Sequence, residues 1–166
     1  MSSLFVDLAA LLRQEIEGYR RLLVLVRRER RNITRGELTG LTETVQKKET
    51  IARELAALEA SRASVLDRLA TELGRETSGL TLAEVARLAP DGSGEMLQGL
   101  LIEFRGLVGS LVVASEVNRS LLDRSLEFVH RSLTLFRVAA TANPTYGKGG
   151  TLGESGSALT AFNQIA

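Results

Sequence analysis

The sequence predicts an all-α protein: an antiparallel bundle of three long helices with one short connector helix and a flexible C-terminal tail. In three long segments the apolar residues recur at alternating steps of three and four, which places them on one face of a helix. Only 4% of the residues are aromatic and none is Trp, so a core of Leu, Val and Ala is expected. Almost no stretch alternates as a strand would. The bundle domain is predicted over residues 1–140 and the tail over 141–166.

The first long helix is predicted over about residues 3 to 34. Its apolar positions form a heptad seam, the spacing typical of helices that pack side by side. Two carboxylates, Glu15 and Glu29, interrupt this seam. The seam comprises Phe5, Leu8, Leu12, Glu15, Tyr19, Leu22, Val26, Glu29 and Ile33.

The second long helix is predicted over about residues 37 to 74, after a break at Gly36. A short connection makes neighbouring helices antiparallel, so facing residues should have numbers that add to about 72 to 74. This register puts Arg62 within a turn of Glu15, and Lys48 near Glu29. Because a bundle of this design leaves no cleft, we interpret both as register-setting ion pairs and not as catalytic carboxylates. With Asn118, these four residues form the predicted structural polar seam.

A connector and a third long helix follow. Thr81 and Glu84 are spaced as a capping box that starts a short helix, which should end at Pro90. From Glu95 to about residue 140 the apolar stripe is wide, as expected for a helix packed between two others. After Pro144 the composition becomes rich in glycine, which predicts the flexible tail.

Residues 141–151, "TANPTYGKGGT", superficially resemble a phosphate-binding loop. Such a loop needs Gly, four residues, then Gly-Lys and a hydroxyl residue. Ala142 occupies the first glycine position and Gly149 the hydroxyl position, so nucleotide binding is not predicted. The chain has no Cys, and His130 is its only His, so no metal site, cofactor or catalytic group is expected. The sequence does not predict an enzyme.

The chain has 21 basic and 20 acidic residues and a net charge of +1. This balance gives no overall electrostatic field that would attract nucleic acid or anionic lipid. The basic run Arg27–Arg31 contains Glu29, which divides it, and we interpret it as a solvated helix face. Binding of duplex DNA through this run is an alternative that would show steep salt dependence. No apolar run approaches the roughly 18 residues that span a bilayer, so a cytoplasmic protein without membrane insertion is expected.

Four stretches carry a resemblance to a known family: "LLRQEIEGYRRLLVLVRRE", "LTETVQKKETIARELAALEASRASVL", "NRSLLDRSLEFVHRSLTLF" and "TYGKGG". In order and spacing they resemble the FlgN family of flagellar export chaperones over most of the chain. The points of the pattern are Glu15, Tyr19, Glu29, Lys48, Glu49, Leu58, Glu59, Arg62, Asn118, Leu121, Leu122, Tyr146, Gly147 and Gly150.

The resemblance implies a cytosolic chaperone that uses no ATP. It would hold the hook-filament junction (hook-associated) proteins and deliver them to the flagellar type III export gate. It also implies that Tyr146 contacts the cytoplasmic domain of the gate, and that "TYGKGG" marks the transition from the bundle to a client-binding tail. A generic helical adaptor without a flagellar role remains the alternative.

Within the tail, Leu159, Phe162 and Ile165 recur every three residues and can form one apolar side of a short helix. Burying them would yield roughly 5 to 9 kcal/mol, whereas ordering the surrounding nine residues costs about 9 to 18 kcal/mol. A partner must therefore supply the difference, and we expect these residues, with Leu152, to bind the client. An inert polar terminus is the alternative.

Overall fold

The computed structural model describes residues 2–75, 80–90 and 92–142, and the side chains of residues 3–75, 80–90 and 92–138. It contains helices α1 (Ser2–Arg35), α2 (Leu38–Glu72), α3 (Leu82–Leu88) and α4 (Ser93–Ala142). No strand occurs in these ranges, so the all-α class is confirmed. Each helix begins and ends within a few residues of its predicted bounds. The predicted tail lies outside the described residues from residue 143 onward.

Glycines with positive φ end the first two helices. Gly36 has a φ of 69°, and the N–H of Glu37 donates to the carbonyl of Asn32 across it. Gly74 has a φ of 63°, and the N–H of Arg75 donates to the carbonyl of Ala70. A residue with a Cβ is strained in this left-handed conformation, so glycine sets where α1 and α2 end.

The predicted capping box starts α3. The backbone N–H of Glu84 donates to Thr81 Oγ1 at 3.3 Å, and the backbone N–H of Thr81 donates to Glu84 Oε2 at 2.9 Å. The hydrogen bonds from Thr81 hold the pKa of the Glu84 carboxyl below its usual value. Val85 and Ala86 on this short helix are buried, so the connector contributes to the core.

The chain divides into two compact units, Met1–Asp123 and Arg124–Ala166. The first unit holds a hydrophobic core built from the start of α1, the end of α2, α3 and the start of α4. The predicted domain boundary after residue 140 falls within the second unit. The buried members of the core are Leu4, Phe5, Leu8, Ala9, Leu12, Val65, Leu69, Ala70, Leu80, Val85, Ala86 and Leu97.

Side-chain contacts fix the directions of the long helices within the first unit. Glu15 pairs with Arg62 and Glu29 with Lys48, so α1 and α2 run in opposite directions. Between α1 and α4, Arg20 pairs with Glu103 and Asn118 bonds to Glu29. From the first of these two contacts to the second, the residue number increases in both helices. The helix α1 and the first part of α4 therefore run in the same direction.

The wide apolar stripe of α4 is buried only in part. Leu97 and Leu101 are buried, whereas Phe128, Leu135 and Phe136 are each more than 70% exposed. The prediction that the wide stripe packs between two other helices is therefore wrong for these exposed residues. The physical reason is length: α4 has 50 residues, but α1 and α2 have 34 and 35, so a straight helix of either length is too short to cover all of α4.

By length and composition alone, one helix in the described ranges, Ser93–Val138, is long and apolar enough to cross a membrane, with a mean hydropathy of 1.5 over its most apolar window. It does not contradict the prediction that no uninterrupted apolar run approaches about 18 residues. The expectation considered uninterrupted apolar runs, whereas the criterion tolerates a few charges. Glu103 and Arg105 lie in this part of α4, and Glu103 forms an ion pair with Arg20 of α1.

Candidate functional site

The first polar contact in the seam joins α1 to α2. Arg62 Nε donates to both oxygens of the Glu15 carboxylate, at 2.9 and 3.1 Å. The Glu15 side chain is 2% exposed and that of Arg62 17%. The structure thus places these residues in contact, as the antiparallel register requires. A carboxylate buried this deeply depends on its partner, because an unpaired buried charge is strongly unfavourable.

Tyr19 lies beside this pair. Its ring meets that of Phe104 edge to face, with centroids 5.3 Å apart and planes at 88°, which joins α1 to α4. Partial burial, then the negative charges of Glu15 and Glu59, raise the pKa of the Tyr19 phenol. Burial and neighbouring carboxylates both disfavour the phenolate. Tyr19 is therefore partly buried at its predicted position in the seam.

The raised pKa of Tyr19 predicts a loss of stability in alkali. Between the pKa values of the unfolded and folded chains, the unfolded state binds fewer protons, so the free energy of unfolding falls as pH rises through that window. The stabilisation is complete below the unfolded pKa, near 10. We expect Tyr19→Phe to lessen this alkaline fall in denaturant unfolding monitored by circular dichroism. Identical pH profiles for the two proteins would contradict it.

The second polar contact joins all three long helices. Lys48 Nζ of α2 donates to both Glu29 oxygens at 2.8 Å. From α4, Asn118 Nδ2 donates to Glu29 Oε2 at 2.9 Å and to the backbone carbonyl of Val26 at 2.8 Å. Glu29 and Asn118 are 7% and 3% exposed. Charge-assisted hydrogen bonds of this kind fix the register of α4 against α1.

One atom of this cluster lacks a hydrogen-bond partner among the described residues. Asn118 Oδ1 is buried and accepts no hydrogen bond from the described residues. Turning the amide over would exchange Nδ2 for an oxygen and lose two good donor contacts, so the orientation is set by the network. A buried acceptor left without a donor costs about 1 to 3 kcal/mol.

The arginine run presents a stronger basic surface than the sequence indicated. Arg27, Arg28, Arg30 and Arg31 are all exposed, as the predicted solvated face requires. Glu29 points into the polar seam toward Lys48 and Asn118, because its helical position faces the other helices. Because Glu29 is buried, it does not separate the four exposed arginines on the protein surface. The expectation that Glu29 divides the basic run is therefore wrong for this surface.

A groove of about 470 Å³ lies between α1 and the first part of α4. Its rim includes Arg27 and Arg30, and its α4 side is lined with small residues, among them Gly109, Ser110 and Ala114. The expectation that this design has no cleft is wrong here. Small side chains on α4 leave space that larger ones would have filled. We call this surface the α1–α4 groove.

The second unit exposes an apolar surface on α4. Leu126, Val129, Leu133 and Phe136 are 52 to 73% exposed and follow each other at steps of three and four. This is the spacing of a helix that packs against another helix. Phe128 and Leu135, both more than 70% exposed, add a second apolar strip. We call these six residues the α4 apolar surface.

Features of catalysis are not evident in the part of the chain with described side chains. No group of three His, Asp or Glu residues there is arranged to hold a metal ion. His130 is exposed on α4. The predicted client-binding residues Leu152, Leu159, Phe162 and Ile165, and the predicted gate residue Tyr146, lie outside the described residues. Their roles stay predictions.

Comparison with protein families assigns the chain. A family model described as FlgN protein matches residues 1–154. The chain belongs to the FlgN family. This confirms the resemblance and implies a general role as a flagellar export chaperone that binds flagellar proteins; FlgN is a chaperone family, not a known enzyme family. No curated protein and no solved structure matched the chain.

Sequence reasoning missed the α4 apolar surface and the α1–α4 groove. A comparison of helix lengths would have indicated the α4 apolar surface, since a helix of 50 residues is about four turns longer than its neighbours. The closely spaced Gly106, Gly109 and Ser110 were the available signal for the second. Small residues on one helix face allow close packing or leave a groove, and only the helix positions decide which.

Proposed function

We propose that this FlgN-family chain is a cytosolic chaperone that binds hook-filament junction proteins and delivers them to the flagellar type III export gate. The family match over residues 1–154 is the observation that carries the proposal. A general adaptor role is the competing function. Under this alternative, the protein would not need to bind flagellar clients, and its loss would not need to impair flagellar export.

The α4 apolar surface supports a client-binding role. Exposed contiguous apolar side chains are costly in water and mark interaction sites. The steps of three and four from Leu126 to Phe136 fit an amphipathic helix of a client laid along α4. Such a complex would shield apolar helices of the client before secretion.

The tail completes the proposed mechanism. Leu152, Leu159, Phe162 and Ile165 would extend the client contact beyond α4; the last three recur every three residues. Tyr146, which precedes them, would contact the cytoplasmic domain of the export gate. In this arrangement client holding and gate docking depend on different residues.

One experiment tests the proposal with three proteins: the full chain, a deletion of residues 152–166, and Tyr146→Ala. Each is assayed for its melting temperature, for binding of purified hook-filament junction proteins, and for export of those proteins from cells that lack the native gene. We expect the deletion to lose client affinity and Tyr146→Ala to lose export, both with an unchanged melting temperature.

Other outcomes separate the parts of the proposal. Full client binding by the truncated chain would remove the tail from the client site and leave α4 as the binding element. Normal export by the Tyr146→Ala protein would end its assignment to the gate. Normal export without the chain, together with no binding of any junction protein, would favour the general adaptor.

A further inference from the structure

We propose that the α1–α4 groove is a second binding site, which takes an acidic amphipathic peptide segment of a partner protein. This site goes beyond the proposed client binding, because all its residues belong to the first unit. Two features carry the inference: the shape of the groove and the positive charge of the two arginines that border it.

The shape suits apolar side chains of a peptide. The groove has a volume of about 470 Å³, within the range typical of ligand sites. A Cβ built on Gly109 would meet no atom within 4 Å, so the space beside it is open. Val113, which also lines the groove, is 66% exposed. Covering this side chain would remove apolar area from water.

The charge suits carboxylates. Within the described residues, neither Arg27 nor Arg30 takes part in an ion pair, whereas Arg20, Arg21 and Arg62 each have a carboxylate partner. Residues three apart on a helix lie about 5 to 6 Å from each other. Two carboxylates one turn apart on a peptide helix have the same spacing and can pair with both guanidinium groups.

The same features favour a peptide over nucleic acid. A phosphate backbone binds exposed basic residues with little regard to apolar surface, and it would use Arg28 and Arg31 as readily as Arg27 and Arg30. Only the latter two border the groove. An acidic amphipathic peptide uses the apolar floor and the two bordering charges together.

The test uses the full chain and a fluorescein-labelled synthetic amphipathic helix of about 18 residues, with Leu and Ala on one face and Glu along its border. Fluorescence anisotropy measures its affinity. Two double variants carry the same charge change: Arg27→Gln/Arg30→Gln at the groove and Arg28→Gln/Arg31→Gln away from it. Gly109→Leu keeps the charge and fills the groove. A Gln version of the peptide and a DNA duplex are the control ligands.

We expect Arg27→Gln/Arg30→Gln and Gly109→Leu each to weaken peptide binding by about tenfold or more, and Arg28→Gln/Arg31→Gln by about twofold. The Gln peptide should bind weakly. Equal losses in the two double variants, unchanged binding by Gly109→Leu, or no binding by the full chain would each overturn the proposal. The proposal would also be overturned if the DNA duplex bound in a way that depends on Arg27 and Arg30 but is unaffected by Gly109→Leu. Junction-protein binding, measured in parallel, should stay unchanged in all variants, which separates this site from the proposed function.

Discussion

Arg62→Ala should lower the free energy of unfolding by about 3 kcal/mol. The substitution leaves the Glu15 carboxylate, 2% exposed, without the guanidinium that bonds to both its oxygens. No other cation is in contact with Glu15 among the described residues, and water has little access to it. Urea unfolding monitored by circular dichroism measures the change as a shift in midpoint.

Arg21→Ala is the matched control. Arg21 also pairs with a carboxylate across α1 and α2, but it and Glu54 are about half exposed, so its loss should cost less than about 1 kcal/mol. The apolar double replacement Glu15→Leu/Arg62→Met should recover most of the stability, because it removes both buried charges together. Similar losses for Arg62→Ala and Arg21→Ala would show that burial does not set the strength of these pairs.

Leu133→Gln/Phe136→Gln should reduce the affinity for a junction-protein client by on the order of a hundredfold or more. Each of these side chains contributes roughly 1.5 to 3 kcal/mol when an interface buries it, and each tenfold in affinity corresponds to about 1.4 kcal/mol. Gln is a good helix former, so α4 should persist. The measurement is isothermal titration calorimetry with a purified hook-filament junction protein.

The control for this prediction changes the polar side of the same segment. Glu127 and Arg131 form an exposed ion pair one turn apart, and Glu127→Gln/Arg131→Gln leaves the net charge unchanged. Its client affinity should stay within about threefold of the unmodified chain, since exposed pairs contribute little. If the control loses affinity as strongly as Leu133→Gln/Phe136→Gln, the α4 apolar surface is not the specific contact. An unchanged affinity in both would exclude it.

The sequence predicted the seam because periodicity is a local property. Steps of three and four placed Glu15 and Glu29 on the inner face of α1. The single glycine break at Gly36 made the next helix antiparallel. These two facts together are enough to predict the contacts of Arg62 with Glu15 and of Lys48 with Glu29. The capping box of Thr81 and Glu84 was equally local and equally predictable.

The sequence by itself therefore determined the helices, their ends and the α1–α2 polar pairs, along with the resemblance that indicated the FlgN family. Only the tertiary structure decided which apolar residues are buried. Leu97 and Phe136 belong to one stripe of one helix, yet the first lies in the core and the second is 73% exposed. Likewise, Glu29 points inward toward Asn118. This leaves Arg27 and Arg30, at the edge of the α1–α4 groove, without a carboxylate partner among the described residues. The physical reason is that burial depends on which surfaces of other helices lie opposite, and those surfaces come from residues far away in the chain.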